Sequence, residues 1–167
     1  MKTAQEATAV FKTIWMPREQ NGHRLVVAVY CYDPRFQAAT EEFLEHFRRT
    51  VPYGRPWLRI TRVSGAGGAY DLCRAEPDGL GRAVLHSLKL TVRHHGARHI
   101  ILILHEDCAR HTTDENKQAA DDSLGFARMM CSHAVALIRQ TVETEVPVAI
   151  WCFWATLGGE FYEVDEV

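Results

Sequence analysis

Two short motifs gather residue types that do chemistry together. The first is Cys31-Tyr32-Asp33-Pro34-Arg35, and the second, far along the chain, is His105-Glu106-Asp107-Cys108. Two thiolates and one imidazole make a borderline-soft tetrahedral ligand set, which favours zinc and leaves one coordination position open, as a catalytic metal requires. The two-residue gap between His105 and Cys108 lets a turning chain offer both side chains to one ion. The same residues are also compatible with buried cysteines serving as small core hydrophobes.

A shared site needs elements that bring positions 31 and 105–108 together. Arg24 to Cys31 (RLVVAVYC) is a short continuous apolar run, as expected of a strand buried on both faces, and His99 to His105 (HIILILH) is the most strand-like run of all. Trp57 to Val63 and Val148 to Trp154 supply two more strands. Between them, three sets recur at helical intervals: Phe36, Ala39, Phe43, Leu44 and Phe47; Leu80, Val84, Leu85, Leu88 and Val92; and Leu124, Ala127, Met130, Cys131, Ala134, Leu137 and Ile138. Strands separated by helices imply βαβ crossovers, so the class is α/β: a mainly parallel four-stranded sheet with helices on both faces. Gly158-Gly159 then turns the chain into a short antiparallel fifth strand, Phe161 to Val164.

On this reading both motifs fall at the C-terminal ends of strands one and three. Open α/β sheets form sites at that edge, and adjacent strand ends about 5 Å apart let thiols and imidazole converge. The loop Ser64-Gly65-Ala66-Gly67-Gly68-Ala69 allows close backbone approach or positive φ angles. Residues 3–15 have the spacing of an amphipathic helix, ended by Pro17 and Asn21-Gly22, and Thr112-Thr113-Asp114-Glu115 offers a capping-box helix start.

The 167 residues suit one domain, 1–167, with 47% hydrophobic and 24% charged residues. Nineteen Lys and Arg against 21 Asp and Glu leave no electrostatic footprint for nucleic acid or an anionic membrane. No apolar stretch is long enough to cross a bilayer, and no signal-peptide core opens the chain. Five scattered cysteines, at 31, 73, 108, 131 and 152, argue against a disulfide framework. The expectation is a cytoplasmic protein.

The paired motifs, in order and at these strand ends, resemble the β-class carbonic anhydrases, which carry Cys-x-Asp-x-Arg after the first strand and His-x-x-Cys after the third. The resemblance runs from about residue 24 to 165 and includes Gly65-Ala66-Gly67-Gly68, Asp107 within His-x-Asp-Cys, and the hairpin at Gly158-Gly159. It implies that Cys31, His105 and Cys108 bind Zn2+ and that Asp33 and Arg35 form a catalytic dyad beside the fourth position. It further implies a zinc-dependent lyase that interconverts carbon dioxide and bicarbonate by attack of zinc-bound hydroxide. Relatives of the fold hydrolyse carbonyl sulfide or carbon disulfide, and a non-catalytic zinc-binding module with Asp33 as fourth ligand is the reading from another class. An N-terminal helix at 1–20 packing on a partner subunit implies a homodimer or a higher homo-oligomer of dimers. The chain departs from the family pattern at Pro34, which lacks a backbone donor and a hydroxyl, at Leu104 and Ala109 in place of glycines, and at Gly65 and Gly68. These changes bear on the rim of the pocket.

Other candidates have plainer readings. His94 and His95 are solvated helix-end residues, His111 is a surface-loop histidine, and Glu42 with His46 belongs to a charged outer face. Cys73, Cys131 and Cys152 are core or partly buried thiols, and Trp151, Phe153 and Trp154 are core and subunit contacts. Tyr30 and Tyr32 line the cavity or simply pack.

Overall fold

Val26–Cys31 and the whole of His99–His105 are buried, so neither run alternates between core and solvent. That pattern follows from a central position in a sheet covered on both faces. In a computed structural model, which describes residues 25–50, 59–73, 79–110, 123–142 and 147–164, these runs are β1 (Leu25–Cys31) and β3 (His99–His105). The remaining elements are α1 (Pro34–Thr50), β2 (Arg59–Gly65), a 3-10 turn (Gly68–Leu72), α2 (Gly79–His95), α3 (Ser123–Thr141), β4 (Ala149–Ala155) and β5 (Phe161–Glu163). The five strands form one sheet ordered β2-β1-β3-β4-β5, parallel except for β5, which pairs antiparallel with β4. The α/β class and the short antiparallel fifth strand are thus as the sequence implies. The helix expected at 3–15, the capping box at 112–115 and His111 lie outside the described residues.

Strand alternation sorts the core into two clusters. Val27, Val29, Ile100, Leu102, Leu104, Cys152 and Trp154 pack with Val84, Leu88 and Val92 of α2 and with Ala127, Cys131, Ala134 and Ile138 of α3. Val26, Ala28, Tyr30, Ile101, Ile103, Phe153 and Ala155 face the other way, onto Phe36, Leu44 and Phe47 of α1. Each fully buried side chain of this size contributes about 1.5–3 kcal/mol, so three of them hold α1 firmly against β1 and β3. Leu104, expected to narrow the pocket rim, is 2% exposed within the first cluster.

Strand β4 is shifted by one residue and β5 is one residue shorter than the sequence reading, and two larger differences lie beside the end of β1. Ser64 and Gly65 extend β2 beyond Val63, because Tyr30 and Cys31 pair with them and Tyr32 N–H donates to the Gly65 carbonyl at 3.1 Å. Helix α1 begins at Pro34 rather than near Phe36. Asp33 is its N-cap, with Oδ1 accepting the Arg35 backbone N–H at 3.0 Å, and Pro34 holds the first helical position, where a missing N–H costs nothing. The absent donor at Pro34 is therefore harmless to the backbone.

The topology fixes where a site can form. The chain leaves β1 for α1 on one face, and it leaves neighbouring β3 towards α3 on the opposite face, so the two strands part company at their C-terminal ends. A crevice opens there.

Candidate metal centre

Cys31 and His105 are the last residues of β1 and β3, and Cys108 follows after a tight turn. All three are buried, and one ligand atom from each lies within 4.8 Å of the others. The edges of a zinc tetrahedron with sulfur at about 2.3 Å are about 3.8 Å, so this spacing suits the ion with little rearrangement. The imidazole is already set for the task. Its Nδ1 lies 2.8 Å from the Glu106 carbonyl, which can only accept, so Nδ1 donates there and Nε2 is the nitrogen left to bind a metal. Phe36 stacks against the ring at 4.2 Å and fixes its plane.

The thiols are unequal. Cys31 is held well below the usual thiol range, first by a hydrogen bond from the Cys108 thiol and then, against the cost of burial, by His105 and the backbone N–H groups of Gly67 and Asp33. Cys108 is pushed up in turn, by sharing its proton with Cys31 and by burial. Metal-free, the pair holds one proton between two sulfurs, and a divalent cation is the natural replacement.

The small-residue loop makes this possible. Gly67 (φ 90°) donates its N–H to Cys31 Sγ at 3.4 Å. Gly68 (φ 51°) lies so close to β1 that an added Cβ would sit 2.1 Å from the Tyr30 carbonyl carbon. Both expectations for this loop, close approach and positive φ, hold at these two positions. Beneath it, fully buried Asp71 receives Arg110 Nε at 3.1 Å and Nη2 at 2.9 Å, clamping the 3-10 turn to the segment after Cys108. The sequence reading missed this pair. The available signal was an acidic residue among Ala69, Tyr70, Leu72 and Cys73.

Asp33 and Arg35 form an ion pair, the pairing that the family resemblance implies. Arg35 Nε and Nη2 reach Asp33 Oδ1 and Oδ2 at 3.1 and 2.7 Å, and this guanidinium, with the helix N–H, holds the Asp33 carboxyl down to about 2. Arg35 also reaches across to Asp107, a contact no sequence pattern indicates. Glu106 ties the centre to the β4–β5 hairpin, its N–H on the Ala155 carbonyl and its Oε2 accepting Leu157 N–H at 2.9 Å.

The plainer candidates stay plain. His94 and His95 are exposed at the end of α2, as are Glu42 and His46 on α1, and Cys73, Cys131 and Cys152 are buried. Tyr30 packs inward and donates to Glu41 at 2.9 Å; burial, then Glu41, pushes its hydroxyl up to about 12. Tyr32 is exposed, and Trp151 stacks on His99 at 5.2 Å.

No family model matches the sequence, and no curated protein matches it. Solved structures do resemble it. A carbonic anhydrase from Streptococcus mutans superposes with a TM-score of 0.56 at 16% identity, over 92% of this chain and 88% of that one. A carbonic anhydrase from Glaciozyma antarctica gives 0.50 at 18% identity, over 90% and 89% of the respective chains. A β-carbonic anhydrase from Trichomonas vaginalis gives 0.50 at 13% identity, over 93% and 88%. The fold is therefore β-carbonic anhydrase-like, and the buried Cys-His-Cys group is consistent with the resemblance of the motifs to that family.

Proposed function

We propose that this chain, as a single domain, is a zinc-dependent carbonic anhydrase-type lyase that interconverts carbon dioxide and bicarbonate. The observation that carries the reading is the convergence of Cys31, His105 and Cys108 at the β1/β3 crevice, with the Asp33–Arg35 pair at the same strand end. Zinc held by those three residues supplies a Lewis acid that makes water nucleophilic near neutral pH. The remaining work falls to the protein. Asp33, ionised throughout the neutral range, accepts a hydrogen bond from the attacking water and turns a lone pair towards the carbon of carbon dioxide. A carboxylate with a pKa of about 2 does not retain a proton at neutral pH, so Asp33 orients the water and the proton released with bicarbonate leaves through solvent. Arg35 keeps Asp33 charged and fixed.

Stopped-flow carbon dioxide hydration on protein of verified zinc content, scanned from about pH 6.5 to 9, tests the reading. Activity that rises with pH supports it, and zinc-loaded protein inactive throughout overturns it. A second reading keeps the metal but hydrolyses carbonyl sulfide or carbon disulfide, with which the departure from the family pattern at exposed Ala109 is compatible. A non-catalytic module would instead show Asp33 on the metal at every pH. Five free thiols support a cytoplasmic setting, and exposed Tyr32 and Leu157 near the site support a homodimer that covers this edge. Among the described residues no helix is long and apolar enough to cross a membrane.

A further inference from the structure

Arg35 makes more bonds than its pairing with Asp33 requires. Its Nη1 donates to Asp107 Oδ2 at 2.7 Å, and its Nη2 donates to the Asp107 carbonyl at 3.1 Å while also bonding Asp33. The two aspartates thus grip one guanidinium from opposite sides, Asp33 from the β1 end and Asp107 from the β3 end. Asp107 can offer both its carbonyl and its carboxylate because its backbone is left-handed, at φ 52°, the one described non-glycine residue with positive φ. That conformation is strained for a residue with a Cβ, although Asp tolerates it better than most. The ion pair is half exposed, with side chains 48% and 55% accessible, and such pairs stabilise a fold little. Stability therefore does not account for a strained residue kept in this place.

We infer that Asp107 is a positioning residue: it fixes the Arg35 guanidinium so that Arg35 can in turn fix the Asp33 carboxylate beside the metal. The inference rests on the proposed hydration site and assigns Asp107 no contact with substrate. Without the Asp107 carboxylate, Arg35 retains Asp33 but loses its anchor on β3. The carboxylate then swings with the guanidinium, and the attacking water loses its fixed acceptor. The loss falls on kcat rather than KM, because substrate binding is untouched and alignment is what suffers.

Asp107→Gly is the clean probe, since it keeps the left-handed backbone and the carbonyl bond while deleting only the carboxylate. In metal-free, 15N-labelled protein, the Nη hydrogens of Arg35, identified by their loss in Arg35→Ala, should be resolved in the parent. They should be averaged by rotation in Asp107→Gly and partly restored in Asp107→Asn. In zinc-loaded protein, Asp107→Gly should lower kcat for carbon dioxide hydration about tenfold with KM unchanged. In an Arg35→Ala background it should add nothing. Unchanged Arg35 signals, or an equal loss in both backgrounds, would overturn the inference. Inactivity of the zinc-loaded parent would instead defeat the hydration reading while the resonances still decide the clamp.

Discussion

Cys31 and Cys108 at the sheet edge are 9% and 2% exposed, and Cys73, Cys131 and Cys152 in the interior are each 2% exposed. Their surroundings set the two groups apart. The edge pair meets His105, the backbone N–H groups of Gly67, Asp33 and Arg110, and each other, and Cys31 is pulled towards the thiolate. The interior thiols lie among Val, Leu and Ile side chains; burial pushes Cys73 up, and a hydrogen bond with Cys152, followed by burial, pushes Cys131 up. Burial alone thus does not set a thiol's chemistry: Cys31 is drawn down by the donors that stabilise negative sulfur, while Cys108, which shares its proton with Cys31, rises with Cys73 and Cys131.

The most direct way to break this comparison is metal content. Cys31→Ser and Cys108→Ala should each lose bound zinc almost completely, measured as metal per chain after dialysis, whereas Cys73→Ala, Cys131→Ala and Cys152→Ala should retain it. Retention of full zinc by Cys108→Ala would remove the distinction. Next in size is Gly68→Ala, which drives a Cβ into the β1 backbone and forces an unfavourable φ. Denaturant unfolding should show a loss of about 3 kcal/mol or more, with zinc affinity falling as the donor loop shifts. Asp33→Asn sharpens the edge further. Asparagine still caps α1, so fold and zinc should persist while hydration drops about 10- to 100-fold.

Two smaller effects separate the thiols themselves. In metal-free protein at about pH 6, thiolate ultraviolet absorption should show about one thiolate per chain, abolished by Cys31→Ser. The sign follows from the depressed Cys31 pKa: the charge persists as pH falls below the ordinary thiol range and disappears only on further acidification, while Cys73 and Cys131 stay protonated well above neutrality. Last, Cys131→Ala should cost only about 1 kcal/mol, a methyl-sized void in the core, with no change in metal binding.

How much of this was legible beforehand depended on whether the cause was local. The β1 and β3 runs announce themselves because a strand buried on both faces must be apolar at every position, and the two motifs could be placed at their ends for the same reason. The start of α1 was written in Asp33-Pro34, an N-cap followed by a first-position proline, but a carboxylate read as a catalytic candidate concealed its capping role. Ser64 and Gly65 look like turn residues and become strand only because Tyr30 and Cys31 pair with them. Asp107 on Arg35 and Arg110 on Asp71 depend on approaches between distant segments, which no local pattern encodes.

The crevice joins residues remote in the chain, and Arg35 and Asp107 are 72 positions apart. Two crossovers, α1 with β2 and α2 leading into β3, separate those ends along the chain. Closing so long a loop is slow compared with forming any one helix. Half-folded chains therefore hold a single cysteine on one side and a His-x-x-Cys on the other, with no three-point grip on an ion. On the proposed zinc-binding reading, tight capture would begin only when β3 docks beside β1, and the rate of metal uptake during refolding would then serve as a clock for completion of the central sheet.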